Sequence, residues 1–352
     1  MEFITTKKYL RGNFNRVIKY EELKILRAIE VGQDLNLRND KENLGLLEQY
    51  GNEGYKIIPI KRISFNSNAL LDDFPKRVMV EMTGRCNLAC RMCPRKDMKR
   101  PLVNMDKELY KKIINELDEY GIDAFWFFHF GESILHPDWK ELVSYAGEKK
   151  NLGITWFSTN GVLFGEEEID FVLNSKITFL NYSLHGTNEE VYSFVSSKEN
   201  YPNVRKHLEM ILWKKKELGK GPIIHIQMID QEGTHHDIDE FLETFYRTGE
   251  ILSIISLEYT NLPENRYGLK RNRSGELKKC NRISRGDCFV DCSGFVKLCD
   301  ADYDSLRAIG NLRDGTLHEF WNSPARKLVY ELNDQGRMFE LECCRDCADF
   351  DL

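Results

Sequence analysis

RVMVEMTGRCNLACRMCPR, residues 77–95, runs a short apolar stretch directly into three cysteines. The first part, Arg77–Thr83, reads as a β-strand. The second places Cys86, Cys90 and Cys93 in a C-x3-C-x2-C arrangement in the loop at the strand's C-terminal end, where α/β sheets carry their chemistry. Thiolates favour iron–sulfur clusters, and this spacing lets one loop supply three ligands to a four-iron cube. The fourth iron then has no protein ligand, which is how a metal binds a substrate or cofactor directly. A zinc knot is the alternative, but it needs a fourth ligand and the loop has none close by; His129 is reachable only by way of the next strand.

Downstream, short apolar runs alternate with amphipathic stretches, the pattern of βαβ units around a parallel sheet. Strands are expected near Arg77–Thr83, Ala124–His129, Gly153–Ser158, Phe179–Ser183, Ile223–Ile229 and Ile254–Glu258. Helices are expected near Lys107–Tyr120, Trp139–Lys150, Glu166–Leu173, Val204–Leu218 and Ile238–Thr248. Six such strands form either an open doubly wound sheet or a partial barrel. Upstream, residues 1–75 are charged and read as a helical extension, with Leu23, Leu26 and Ile29 at helical spacing. After the alternation ends, a segment rich in Arg, Asn and Gly (Asn261–Glu276) leads into a region with seven of the chain's ten cysteines. Three units are therefore expected: 1–75, 76–262 and 263–352.

Composition narrows the class. The chain has 352 residues, enough for a barrel-sized unit and a smaller one, and a net charge of −6 with the two signs interspersed. Nothing there points to nucleic acid or a membrane surface. The start, MEFITTKKYLRGNF, lacks the basic, apolar and small-residue zones of a signal peptide, and no run of about eighteen apolar residues occurs. A cytoplasmic location is expected, where thiols stay reduced and clustered cysteines bind metal.

The C-terminal thiols have their own spacing. CNRISRGDCFVDCSGFVKLC, residues 280–299, is a C-x13-G-x4-C segment, followed by CCRDC at 343–347. Cys280, Cys299, Cys344 and Cys347 supply four thiolates, enough for one four-iron cluster or a tetrahedral zinc. Cys343 can replace Cys344 on spacing. Gly294 is expected to turn a hairpin between Cys288–Cys292 and Phe295–Leu298. Cys288 and Cys292 are left over. They are either small buried residues or, by the family likeness given next, a thiol that returns a hydrogen atom to a carbon radical.

C-x3-C-x2-C resembles the defining motif of the radical S-adenosylmethionine (SAM) superfamily, with Met92 where the family usually has an aromatic residue. The resemblance implies that the open iron is chelated by the methionine part of SAM. Reductive cleavage then gives a 5′-deoxyadenosyl radical. FHFGESILHP, residues 128–137, is similar to the family's GGEP segment, with Phe130 and Ser133 departing from it and Gly131 and Glu132 kept. By that likeness Glu132 accepts from the methionine ammonium. Met92, Gly131, Ser158, Asn160, Ser183 and Gln227 fall at further cofactor positions, although Ser158-Thr159-Asn160-Gly161 also suits a turn. His185 is a weak substrate contact; a lone His at a strand end is more often structural. The C-terminal cysteines resemble the SPASM/twitch auxiliary-cluster domain, in its shorter single-cluster form since the chain ends five residues after Cys347.

The resemblance implies a partial (β/α)6 barrel of the TIM type with a small auxiliary-cluster domain. It implies SAM, a [4Fe-4S] cluster on three cysteines, one auxiliary [4Fe-4S] cluster, and a flavodoxin- or ferredoxin-type reductant. The expected reaction is hydrogen-atom abstraction from a polar small molecule, a sugar or aminocyclitol, for oxidation, epimerisation or rearrangement. The alternatives are a maturase acting on a ribosomal peptide and, in another class, a non-catalytic iron–sulfur or zinc protein carrying electrons.

Overall fold

The computed structural model describes residues 72–231, 233–245, 251–256, 279–284 and 286–344. The expected extension over residues 1–75 lies almost wholly outside the described residues, as do Asn261–Glu276 and Cys347.

In chain order the elements of the barrel are β1 (Arg77–Val80), α1 (Lys107–Tyr120), β2 (Ala124–Trp126), α2 (Trp139–Gly147), β3 (Ile154–Thr159), α3 (Glu166–Asn174), β4 (Phe179–Ser183), α4 (Glu189–Ser196), α5 (Tyr201–Leu218), β5 (Ile223–Asp230), α6 (Ile238–Phe245) and β6 (Ile251–Ser256). They are followed by α7 (Asn281–Ser284), β7 (Asp287–Val290), β8 (Phe295–Lys297), β9 (Gly310–Asn311), α8 (Leu317–Trp321) and α9 (Pro324–Asp334). β1 to β6 pair in parallel, each with the next in sequence, and the sheet stays open as a partial barrel.

Alternation decides which side chains meet the helices. Val78, Val80, Phe125, Phe127, Phe157, Leu180, Tyr182, Ile224, Ile226 and Met228 join one core with helix residues such as Leu109, Ile113 and Leu208. The opposite, inward face is lined low down by Trp156 stacked on Phe179 at 4.1 Å, with Trp126, Phe128, Ile154 and Ile223 around them. Higher on the same face the residues become polar: Glu81, Ser158, Asn181, Ser183 and Gln227. The barrel therefore closes its floor with apolar packing and leaves its C-terminal rim for polar chemistry.

Two expected strands end early, for a shared reason. β1 stops at Val80 because Gly84 N–H and the Thr83 hydroxyl turn to Val103 O (2.9 Å) and Asn104 Oδ1 (2.7 Å). β2 stops at Trp126, and the Phe130 N–H reaches the Glu81 carboxylate at 3.2 Å instead of a strand partner. Both departures open the rim. The helix α4 goes beyond the expected pattern; Asn188 caps it by accepting from Val191 N–H, with Glu189 and Glu190 in the first turn.

The C-terminal hairpin continues the barrel sheet. β7 lies parallel on the outer edge of β1, from Arg77 against Asp287 to Val80 against Val290, and β8 and β9 add antiparallel. Gly294 makes the turn with φ +94°, a conformation that any Cβ would strain. Buried Arg77 pairs with Asp287 across the β1–β7 seam. Arg100 makes a second join: its guanidinium holds buried Glu81 and the Tyr303 carbonyl, while Asp304 accepts from Lys99 and Arg100 N–H. Among the described residues, no helix is long and apolar enough to cross a membrane.

Candidate functional site

The loop after β1 is shaped by bonds to its carbonyls. Arg95 donates to Leu88 O (2.6 Å), the Ser197 hydroxyl to Ala89 O (2.9 Å), and Lys198 to Asn87 O. Arg91 N–H bonds Val195 O at 2.8 Å, so the end of α4 braces the loop from outside. Inside, Cys93 N–H folds back onto Cys90 O at 2.9 Å. Burial, and then the neighbouring thiols Cys93 and Cys86, push Cys90 up to about 12. Burial raises Cys93 to about 11, and Cys86 is raised by burial and by Glu132. Such thiols release their protons only to a metal. Met92 is buried beside the thiols, packing with Val195, Cys90 and Ile229.

Glu132 arrives from the end of β2. Its N–H bonds Arg85 O at 2.8 Å, and the approach is so close that a Cβ on Gly131 would lie 1.8 Å from Thr83 O. Only glycine fits there. Glu132 is buried; Oε2 accepts from Asn160 N–H at 2.7 Å, and among the described residues Oε1 completes no hydrogen bond of normal geometry, with the Thr159 hydroxyl and Ile134 N–H near the carboxylate. Burial pushes the carboxyl up to about 7. Asn160, at the end of β3, also donates from Nδ2 to Asn87 Oδ1 (2.8 Å) and lies 3.8 Å from Cys86 Sγ. Beyond it, Asn181 Nδ2 links Ser158 Oγ (3.0 Å), Gln227 Oε1 (3.3 Å) and Ser183 Oγ (3.5 Å), while its own Oδ1 is buried without a partner among the described residues.

The structure thus brings together Cys86, Cys90, Cys93, Gly131, Glu132 and Asn160, and continues the rim through Ser158, Ser183 and Gln227. Asn87 and Asn181 were missed by the sequence reading. Asn181 had a usable signal, since it shares the inward face with Ser183 at period two between apolar Leu180 and Tyr182.

The leftover candidates separate. Cys288 is fully buried in the helix-facing core, so it takes no part in the rim. Cys292 is also buried, but lies beside it: its Sγ accepts from Arg100 Nη1 at 3.2 Å, and burial raises its thiol to about 11. His185 sits buried at the end of β4 with φ +56°, its imidazole held neutral by burial with a pKa lowered to about 4.

A second thiol site lies under the hairpin. Asn333 on α9 grips Cys280, accepting its N–H at 2.6 Å and donating to its carbonyl at 3.2 Å. Cys280, Cys299 and Cys344 line one cavity, walled by Ile283, Leu298 and Met338. Cys343 is there too, its Sγ 3.7 Å from that of Cys344. Asp302 and Arg307 line the same cavity.

Both donor sets suit clusters. Each set offers thiolates, which favour iron–sulfur clusters. The Oε1 of Glu132 suits a cationic donor such as an ammonium.

Comparison with known proteins agrees with this layout. The family model of the radical SAM superfamily matches residues 80–245, and that of an iron–sulfur cluster-binding domain, SPASM, matches residues 280–348. The chain is 31% identical over 310 residues to the mycofactocin maturase of Mycobacterium ulcerans, covering 79% of this chain and 82% of that one. It belongs to the radical SAM superfamily. As a radical SAM enzyme with a SPASM domain it uses SAM, a [4Fe-4S] cluster and an auxiliary iron–sulfur cluster. Other relatives match in part. The GTP 3′,8-cyclase of Chlorobaculum tepidum is 27% identical over 44% of this chain, and the match spans about half of that protein, 47%. The PqqA peptide cyclase of Bradyrhizobium diazoefficiens is 27% identical over 45% of this chain and 41% of its own length. The fold is shared with SuiB of Streptococcus suis, solved bound to precursor peptide SuiA, at a TM-score of 0.59 and 14% identity, covering 97% of this chain and 82% of that one.

Proposed function

We propose that this radical SAM enzyme modifies a peptide. The observation that carries the reading is the extent of the similarity: a maturase matches 79% of the chain, and a second relative is by name a peptide cyclase. The small-molecule reading has GTP cyclases in its favour, but they match 44 to 55% of the chain against the maturase's 79%. Peptide substrates therefore take precedence over the sugar or aminocyclitol expected from sequence.

Cys86, Cys90 and Cys93 would hold the first cluster, and Glu132 Oε1 would accept from the SAM ammonium. Asn160 fixes Glu132 through its N–H, and Asn181 keeps Ser158, Ser183 and Gln227 in one polar row. Cys280, Cys299 and Cys344 would hold the auxiliary cluster with Cys347. When bound and reduced, the first cluster with SAM supplies a 5′-deoxyadenosyl radical that abstracts hydrogen. The apolar barrel floor of Trp156 and Phe179 closes the site from below, which keeps water from a radical above it.

The test uses an extract of the source cells grown in heavy water, split by size into polypeptides and small metabolites. Each fraction is incubated with reconstituted enzyme, SAM and dithionite, and deuterium in 5′-deoxyadenosine is measured by mass spectrometry. Transfer from the polypeptide fraction is expected. Transfer from the small-metabolite fraction alone would overturn the peptide reading.

A further inference from the structure

Asn160, at the end of β3, is held by three bonds of its own. Its N–H donates to Glu132 Oε2 at 2.7 Å, and its Oδ1 accepts from Val162 N–H at 3.0 Å. The second bond fixes which end of the amide is oxygen, so the nitrogen is the end that faces the cysteine loop. That nitrogen carries two hydrogens. One goes to Asn87 Oδ1 at 2.8 Å, and the other has Cys86 Sγ within 3.8 Å.

Asn87 follows Cys86 directly, and its own amide is oriented in turn. With Oδ1 taken by Asn160, its Nδ2 is left buried without a partner among the described residues. Buried amide donors are ordinarily paired, and a cluster brings sulfur acceptors to this loop. The Cys86 thiol also lies 3.9 Å from Asn87 Oδ1, a contact that needs the thiol hydrogen. Once the sulfur is a thiolate ligand it can only accept. The group left facing it is the Asn160 N–H, now bonding to a charged partner.

We propose that Asn160 sets the reduction potential of the first cluster by donating from Nδ2 to the sulfur of Cys86. The inference rests on the placing of that cluster on Cys86, Cys90 and Cys93. Reduction adds one negative charge to an iron–sulfur cluster, and part of it falls on the thiolate sulfurs. A donor at such a sulfur stabilises the reduced form more than the oxidised one and raises the potential. Asn160 acts through another residue's sulfur and is a positioning residue. It has two tasks: its backbone orients the carboxylate proposed for the SAM ammonium, and its side chain tunes the sulfur next to it.

The test compares wild type with Asn160→Ser and Asn160→Asp, reconstituted with iron and sulfide and titrated with dithionite in the absence of SAM. Both variants keep the backbone N–H on Glu132 and lose the amide N–H; Asp puts an oxygen in its place. The first cluster is followed by electron paramagnetic resonance (EPR), as the signal that shifts when SAM is added to a matched sample. Iron content should equal that of wild type. At the wild-type midpoint, the ratio of reduced to oxidised first cluster should fall about tenfold in Asn160→Ser, the loss of one charge-assisted hydrogen bond. That is a shift of about 59 mV for a one-electron couple. Asn160→Asp should fall further, and the auxiliary cluster should keep its midpoint in both.

A second measurement needs no stable variant. In wild type carrying heavy nitrogen in its asparagine side chains, the reduced first cluster should show a hyperfine coupling to that nitrogen, and Asn160→Ser should lose it. An unchanged midpoint in Asn160→Ser, or labelled wild type without the coupling, would overturn the proposal. A coupling that persists unchanged in Asn160→Ser would assign the donor to Asn87 and overturn it as well. A wild-type EPR signal indifferent to SAM would instead overturn the placing of the first cluster, so the two failures are distinct.

Discussion

The two thiol sites of this enzyme are built on opposite principles. The first hangs in a rim loop whose carbonyls are held from outside, among polar groups, beside the buried carboxylate of Glu132. The second is walled by aliphatic side chains, its first cysteine gripped on both sides by Asn333. A cluster in polar surroundings with an open partner can take a ligand. One lined mostly by apolar side chains, with Arg282, Asp302 and Arg307 among them, has its potential set by that lining. Different ruptures should therefore have different consequences.

The largest effect is expected at the first site. Cys93→Ser should reduce 5′-deoxyadenosine formation to background and remove the iron of that cluster. Cys299→Ser should leave SAM cleavage standing while product formation is lost. Chromatography of 5′-deoxyadenosine together with iron analysis checks both; equal loss of SAM cleavage in the two variants would break the comparison.

Within the second site, Cys344→Ala should lose the auxiliary cluster and Cys343→Ala should retain it. The sequence could not separate these adjacent thiols. Both line one cavity with Cys280 and Cys299, and the assignment of Cys344 is the reading that these two variants test. Iron per chain and the visible absorbance of each variant decide the matter.

Glu132→Gln sharpens what the open carboxylate does. Losing a charge-assisted bond should weaken SAM binding by roughly 10- to 100-fold. The same change should stabilise the cofactor-free protein at pH 8. Glu132 titrates at about 7 when folded, raised from 4.5. Ionisation in the folded state therefore costs nothing below the lower value. The cost grows between the two and is constant above the upper, at about 3 kcal/mol. Urea unfolding should show the gain at pH 8 and none near pH 4.5; a gain independent of pH would mean that desolvation of the carboxylate is not its cause.

Much of this was legible in the residues. The cysteine spacing, Gly131-Glu132 and the strand order of the barrel follow local patterns, and the Phe179–Ser183 strand matched residue for residue. What stayed hidden depends on contacts far apart in sequence. The pairing of β7 with β1 joins residues more than two hundred positions apart, and no local period announces it. Glu81 looked like an ordinary strand residue, yet it holds Arg100, the Phe130 N–H and the Cys292 N–H.

The smallest effect is expected at Cys288, and it tests whether the hairpin's spare thiols belong to the chemistry. Cys288 alternates with Phe289 on β7, so one faces the helices and the other the barrel interior. Its side chain is fully buried, and burial raises its thiol well above the usual range. A hydrogen donor must reach the substrate; from this position Cys288 reaches only core side chains. Cys288→Ala removes one sulfur from that packing and should cost about 1 kcal/mol in urea unfolding. Deuterium transfer and product should be unchanged. An altered product from this variant would place a radical path through the core and erase the separation between the rim and the packing behind it.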